Sequence, residues 1–170
     1  MTDENPETEP PEVLYRALGH LVFIFSHLDE GLHQAIKMRC GLREEVSILT
    51  SGLRFPELVD RFRLLFADFE HPAPSTERGV SALCKELIAL NEERNRQMHS
   101  TWGFWSTGGP ARMRHRIGKG GMNLSLESVS VTDLDALADR MHRAADKVYE
   151  LGFAALSANR RESTLPHTEA

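Results

Sequence analysis

Apolar side chains recur every three or four residues through most of this chain, the interval at which an α-helix returns to the same face. Leu14, Leu18, Leu21, Phe25, Leu28, Leu32 and Ala35 form the first such stripe and predict a helix from about Glu12 to Cys40, with Gly41 as its natural stop. REEVSILTSGL, just before Phe55, predicts a short piece of about two turns. FPELVDRFRLLFADF predicts the next long helix, with Pro56 in its first turn and Leu58, Phe62, Leu65 and Phe66 facing inward. Beyond the linker HPAPST, a helix capped by Ser75 or Thr76 carries Val80, Leu83, Cys84, Leu87 and Leu90 and continues toward Trp102. The last helix opens at Thr132, where TDLD has the form of a capping box with Asp in place of Glu. It buries Leu134, Leu137, Ala138, Met141, Ala145 and Val148 and ends near Asn159.

Between the last two helices the period changes from helical to alternating, and glycine-rich turns appear at STGGP and GKGG. TWGFW, ARMRHRI and MNLSLES read as three short antiparallel strands. Long helices with one apolar stripe each pack as a bundle with antiparallel neighbours. The predicted fold is therefore mainly α: an up-and-down four-helix bundle with an additional short helix and a three-stranded antiparallel β-meander, about residues 101–130, inserted before the last long helix. Residues 1–10, rich in Pro and Glu, and residues 160–170 have nothing to bury and are expected to be a disordered arm and tail around a single domain of residues 11–159.

Composition narrows the function classes. In 170 residues the hydrophobic share is 41% and the charged share 26%, which fits one soluble globular domain that needs no cross-links. LVFIF is too short to cross a bilayer and the start is acidic, so neither a membrane span nor a signal peptide is expected. Cys40 and Cys84 have no metal or redox spacing and sit in helical patterns, which fits a reducing cytoplasm. A net charge of -5 argues against a whole-surface nucleic-acid binder but leaves room for a local patch.

The helix after the linker ends in NEERNRQMHSTW, where the apolar stripe turns polar. On a helical wheel Asn91, Arg94 and Met98 continue the line of Leu83, Leu87 and Leu90. Asn95 and His99, four apart, share the adjoining flank, roughly 100 to 140° round from Arg94. A guanidinium buried without a partner costs several kcal/mol. Arg94 must therefore meet either a carboxylate, such as Asp29 on the first helix, or an anion.

Arg94-Asn95-x-x-x-His99 at the end of a long helix in a helical bundle resembles the signature of the HEPN (higher eukaryotes and prokaryotes nucleotide-binding) superfamily: Arg, four to six residues, then His, often with a polar residue after the Arg. The resemblance implies metal-independent endoribonuclease activity at a composite site on a homodimer interface, with Arg94, Asn95 and His99 catalytic and no cofactor. An imidazole can take the proton of a ribose 2′-hydroxyl, which then attacks the adjacent phosphate, while a fixed guanidinium meets the charge that develops. Asn95 would orient the His or hold a phosphate oxygen. Members often add an acidic or hydroxyl group from the first helix, for which Ser26, Asp29 and Glu30 are the candidates here. Members often act as toxins, which would make a protein or nucleotidyltransferase antitoxin a partner. Many others are inactive binding modules.

The strand insertion adds a basic segment: Arg112, Arg114, Arg116 and Lys119 stand against Glu127 alone. The three arginines alternate onto one strand face, and with Trp102, Phe104 and Trp105 nearby they read as an RNA-binding patch that guides a backbone and stacks a base. Their structural alternative is a solvated strand face with the aromatics tucked onto the bundle. Glu30/His33 and Asp139/His142 have the i, i+3 spacing of di-iron helices, but the wheel turns them away from the core stripes. GKGG lacks the spacing of a phosphate-binding loop and reads as a hairpin turn. The competing function is a non-catalytic dimeric helical module that binds a partner protein or nucleotide and uses Arg94 as a structural anchor.

Overall fold

Each stripe becomes the inner face of a helix. The computed structural model describes residues 11–67, 69, 76–104, 110–118 and 121–163. In chain order these form α1 (Pro11–Arg39), α2 (Glu44–Thr50), α3 (Phe55–Phe66), α4 (Thr76–Met98), β1 (Thr101–Phe104), β2 (Pro110–Gly118), β3 (Gly121–Ser128) and α5 (Val131–Ser163). The fold is mainly helical, with a small antiparallel sheet ahead of the last long helix, as the pattern predicts.

Gly41 ends α1 by adopting a φ of 76°, which lets the Leu42 N–H donate to the Lys37 carbonyl at 2.8 Å and its own N–H to that of Met38 at 3.1 Å. The chain then doubles back. Lys37 pairs with Glu44 at 2.7 Å at the start of α2, and by Ser51 and Gly52 the chain lies beside Glu30 and His33, nearer the middle of α1. Because α2 makes this return, α3 starts beside Phe25 (Phe25 and Phe55 ring centroids 4.8 Å apart) and ends beside Arg39, whose Nε donates to the Leu65 carbonyl at 3.0 Å. Helices α1 and α3 thus run in the same direction, where antiparallel neighbours were expected.

Helix α4 runs the opposite way, and α5 reverses again: Glu86 faces Lys147 at 3.9 Å and Glu93 faces Arg140 at 3.0 Å. Helix α5 is co-directional with α1 along their contact. Gly31 lies against Tyr149, Gly152 against Ala35, and Asn159 Nδ2 donates to the carbonyls of Met38 and Arg39 at 3.3 and 3.0 Å. Successive helices alternate in sense, and the bundle is a ring in which α1 touches α3 and α5, and α4 closes the far side between them.

Leu14, Leu21, Leu28, Leu32, Phe62, Phe66, Leu87, Leu90, Leu134 and Met141 are fully buried. Leu18 and Leu65, predicted as core, are partly exposed at its edge. The cap of α5 is Ser130, two residues before the predicted Thr132: the Asp133 N–H donates to Ser130 Oγ and the Ser130 N–H to Asp133 Oδ2, both at 3.1 Å. The Ser130 hydroxyl, donating to Asp133 Oδ2 at 2.8 Å, and the Ser130 N–H hold the Asp133 carboxyl below its usual range. Helix α5 also runs through residues 160–163, which were expected to be tail. Residues 1–10 and 164–170, Ser75 and most of HPAPST lie outside the described residues.

The sheet has order β1-β2-β3, with Trp102 opposite Arg112, Arg112 opposite Glu127, and Gly118 opposite Gly121 across the GKGG hairpin. Among the described residues, no helix is long and apolar enough to cross a membrane.

Candidate functional site

The polar end of α4 faces a cleft. About 560 Å³ in volume, it is lined by Phe25, Ser26, Asp29 and Glu30 of α1, by Arg54, Phe55 and Pro56 at the start of α3, and by Asn91, Arg94 and Asn95 of α4. Helix α4 brings its last turns here because its apolar stripe packs down the bundle until Leu90, and the next residues in line are the polar ones. The third wall exists because α2 carries the chain back to Arg54 before α3 begins.

Arg94 is half-buried with its guanidinium over the Phe25 ring, 4.5 Å from the centroid. Its Nη1 donates to Asn95 Oδ1 at 2.9 Å, and Asn95 Nδ2 reaches Asn91 Oδ1 at 3.5 Å. Its Nε is buried without a hydrogen-bond partner, and among the described residues no carboxylate lies within ion-pair distance of it. The ion pair with Asp29 considered above is therefore not formed. Arg94 is held by a ring and an amide, neither of which neutralises its charge.

The first-helix candidates differ in how far they are engaged. Ser26 donates its hydroxyl to the Val22 carbonyl at 3.0 Å, and Glu30 Oε1 accepts from Gln34 at 2.6 Å. Asp29 has His33 at 4.0 Å, beyond hydrogen-bond reach. Burial pushes the Asp29 carboxyl above its ordinary range; His33 opposes the rise, the like charge of Glu30 adds to it, and the pull of Arg94 is the smallest influence. Among the described residues, a cation without an ion-pair partner and a carboxylate without a hydrogen-bond donor thus open onto one cleft.

Of the expected catalytic trio, Arg94 and Asn95 come together at the cleft, and His99 does not line it. His99 is exposed just past the end of α4, its backbone N–H donating to the Asn95 carbonyl at 3.0 Å. Arg112, expected on RNA, turns inward. It is 6% exposed, its Nε and Nη2 donate to Glu127 Oε2 at 2.8 and 2.6 Å, and its Nη1 is buried without a partner among the described residues. Trp102 is half-buried, packs on the core and donates Nε1–H to the Gln97 carbonyl at 2.9 Å, so its indole anchors the sheet to the end of α4. The backbones of Arg114 and Arg116 pair with Ser125 and Asn123; their side chains and that of Phe104, together with Lys119 and Trp105, lie outside what the structure describes.

Sequence reasoning missed two parts of the cleft. Phe25 carries a core-stripe signal yet also supports Arg94, and nothing in the periodicity marks Arg54–Pro56 as facing α4. Among the described residues, no group of three or more His, Cys, Asp or Glu is placed to hold a metal. Cys84 is buried, which pushes its thiol up to about 11 and leaves it inert. Comparison with protein-family models, with curated proteins and with solved structures finds no match.

Proposed function

We propose that this protein is a cytoplasmic, metal-independent endoribonuclease of HEPN type that works as a homodimer. The observation that carries the reading is Arg94: a cation on a core stripe, backed by Phe25, with no acid at ion-pair distance among the described residues and an open cleft before it. Such a guanidinium is suited to the phosphate of an RNA strand and to the charge that builds as a 2′-hydroxyl attacks. Asn95 steadies it through the 2.9 Å bond and holds the site's geometry. His99 acts as the base from the exposed end of α4, where a second copy can share it. The exposed side chains Tyr15, Val22 and Phe23 continue the α1 face of Ser26 and Glu30 beyond the cleft and supply an apolar surface for the two-fold contact. An antitoxin, if the protein is a toxin, would cover the same cleft.

The engagement of Arg94 by Phe25 and Asn95 also favours a second reading, a non-catalytic module in which Arg94 is an anchor for a bound nucleotide or partner. One assay separates the two. Purified protein is incubated with single-stranded RNA in chelator beside His99→Ala and Arg94→Ala. The ribonuclease reading expects 2′,3′-cyclic phosphate ends and a fall of about 10²-fold or more in each variant. Absence of His99-dependent cleavage leaves the binding module.

A further inference from the structure

Two groups at the cleft are unsatisfied in opposite senses. Among the described residues Arg94 has no carboxylate at ion-pair distance and Asp29 has acceptor oxygens but no hydrogen-bond donor, while Glu30 beside it already accepts from Gln34. The two face the same space without forming an ion pair, so a ligand that satisfies both presents an anion at one end and N–H donors at the other. The carboxylates of Asp29 and Glu30 make the α1 wall hostile to phosphate, which leaves that wall to the base and the Arg94 side to the backbone. The Phe25 and Phe55 rings, 4.8 Å apart, give the cleft an apolar floor, and about 560 Å³ is the size of a small-molecule site.

We propose that the α1 wall is a base-recognition subsite for guanine, with the Asp29 carboxylate accepting both N1–H and N2–H while Arg94 holds the phosphate of the same nucleotide. This rests on the ribonuclease reading for placing RNA in the cleft. Only guanine offers two adjacent donors to one carboxylate. Adenine and cytosine set a lone pair beside their amino group, and uracil flanks its single N–H with two carbonyl oxygens. Partial burial raises the proton affinity of the half-buried Asp29, and among the described residues no donor offsets it.

The test is binding of the four 3′-mononucleotides to the full chain by calorimetry, in wild type, Asp29→Asn and Glu30→Gln. Guanosine monophosphate is expected to bind about ten- to a hundredfold tighter than uridine monophosphate, the discrimination of a bidentate contact. Asp29→Asn, which replaces an acceptor by a donor at constant shape, is expected to remove that preference while Glu30→Gln retains it. Equal binding of the four by wild type, no binding of any, or a guanine preference that survives Asp29→Asn overturns the assignment. The wild-type comparison decides even where a variant fails to fold. Guanine preference without RNA cleavage sinks the ribonuclease and leaves the subsite, whereas cleavage without guanine preference does the reverse.

Discussion

Helices α1 and α5 approach most closely where Gly152 meets Ala35, and that contact gives a prediction whose sign follows from the geometry. A Cβ placed on Gly152 would lie 2.9 Å from Ala35 Cα and 3.1 Å from both Ala35 Cβ and Met38 Sδ. Carbon atoms attract best at about 3.5–4.0 Å. Met38 can rotate aside, but the Ala35 backbone cannot, so the two helices must part or strain. Overpacking of this kind costs about 1–3 kcal/mol, against which replacing a helical glycine by alanine returns about 1 kcal/mol of propensity. Gly152→Ala is thus expected to lose about 1 kcal/mol net, and Gly152→Val more. Gly79 of α4 is the control, because a Cβ there meets nothing within 4 Å. Gly79→Ala should gain about 0.5–1 kcal/mol. The two alanine variants should then differ by roughly 2 kcal/mol, or about 4–8 °C in Tm for a domain of this size, read by calorimetry or urea unfolding. A Gly152→Ala protein as stable as Gly79→Ala would refute the close co-directional packing of α1 and α5.

Asp29 carries a pH signature. Its carboxyl is raised in the folded protein, so its contribution to stability is fully present below the ordinary carboxylate value of 3.8 and is lost as pH rises through the folded value. Asp29→Asn should accordingly unfold at higher urea than wild type near pH 7, with the gap closing toward pH 3.8; a gap that widens on acidification contradicts the burial argument. In the sheet, Glu127→Ala leaves the Arg112 guanidinium, 7% exposed, without its carboxylate and should cost about 2–3 kcal/mol by chemical denaturation, the partial exposure of Glu127 holding the loss to that range. Arg112→Met with Glu127→Ala should recover much of it, and no recovery would mean that the pair is not what holds the strands in register.

The bundle was legible because its signal is repeated: four stripes, each with several leucines or phenylalanines at helical spacing, leave little choice of inner face. Direction was not. Whether α3 runs with or against α1 depends on the short α2, whose exposed Ile48 and Leu49 give no clear facing, and on the left-handed Gly41 and Gly52 that turn the chain twice. The site was legible at Arg94, since a cation on an apolar stripe breaks a strong pattern. Asn95 was placed by its neighbour, whereas His99, still bonded to the Asn95 carbonyl at the end of α4, sits roughly 140° round the helix from Arg94 and so faces away from the cleft. Arg112 misled because alternation assigns a face without saying whether that face meets solvent or the bundle, and the register that sets Glu127 opposite it is a long-range property.

The return made by α2 also shapes the field of the molecule. Peptide dipoles cancel in a bundle whose long helices alternate around the ring, but here the long helices α1, α3 and α5 point one way and, besides the two-turn α2, only α4 points the other. Each helix carries about half a positive charge at its amino end, and the amino end of α3 opens onto the cleft at Phe55 and Pro56. A chain of net charge -5 therefore keeps a local positive pole at that end, fixed by main-chain orientation and so indifferent to pH, with the Glu57 carboxylate set against it through the Arg54 N–H.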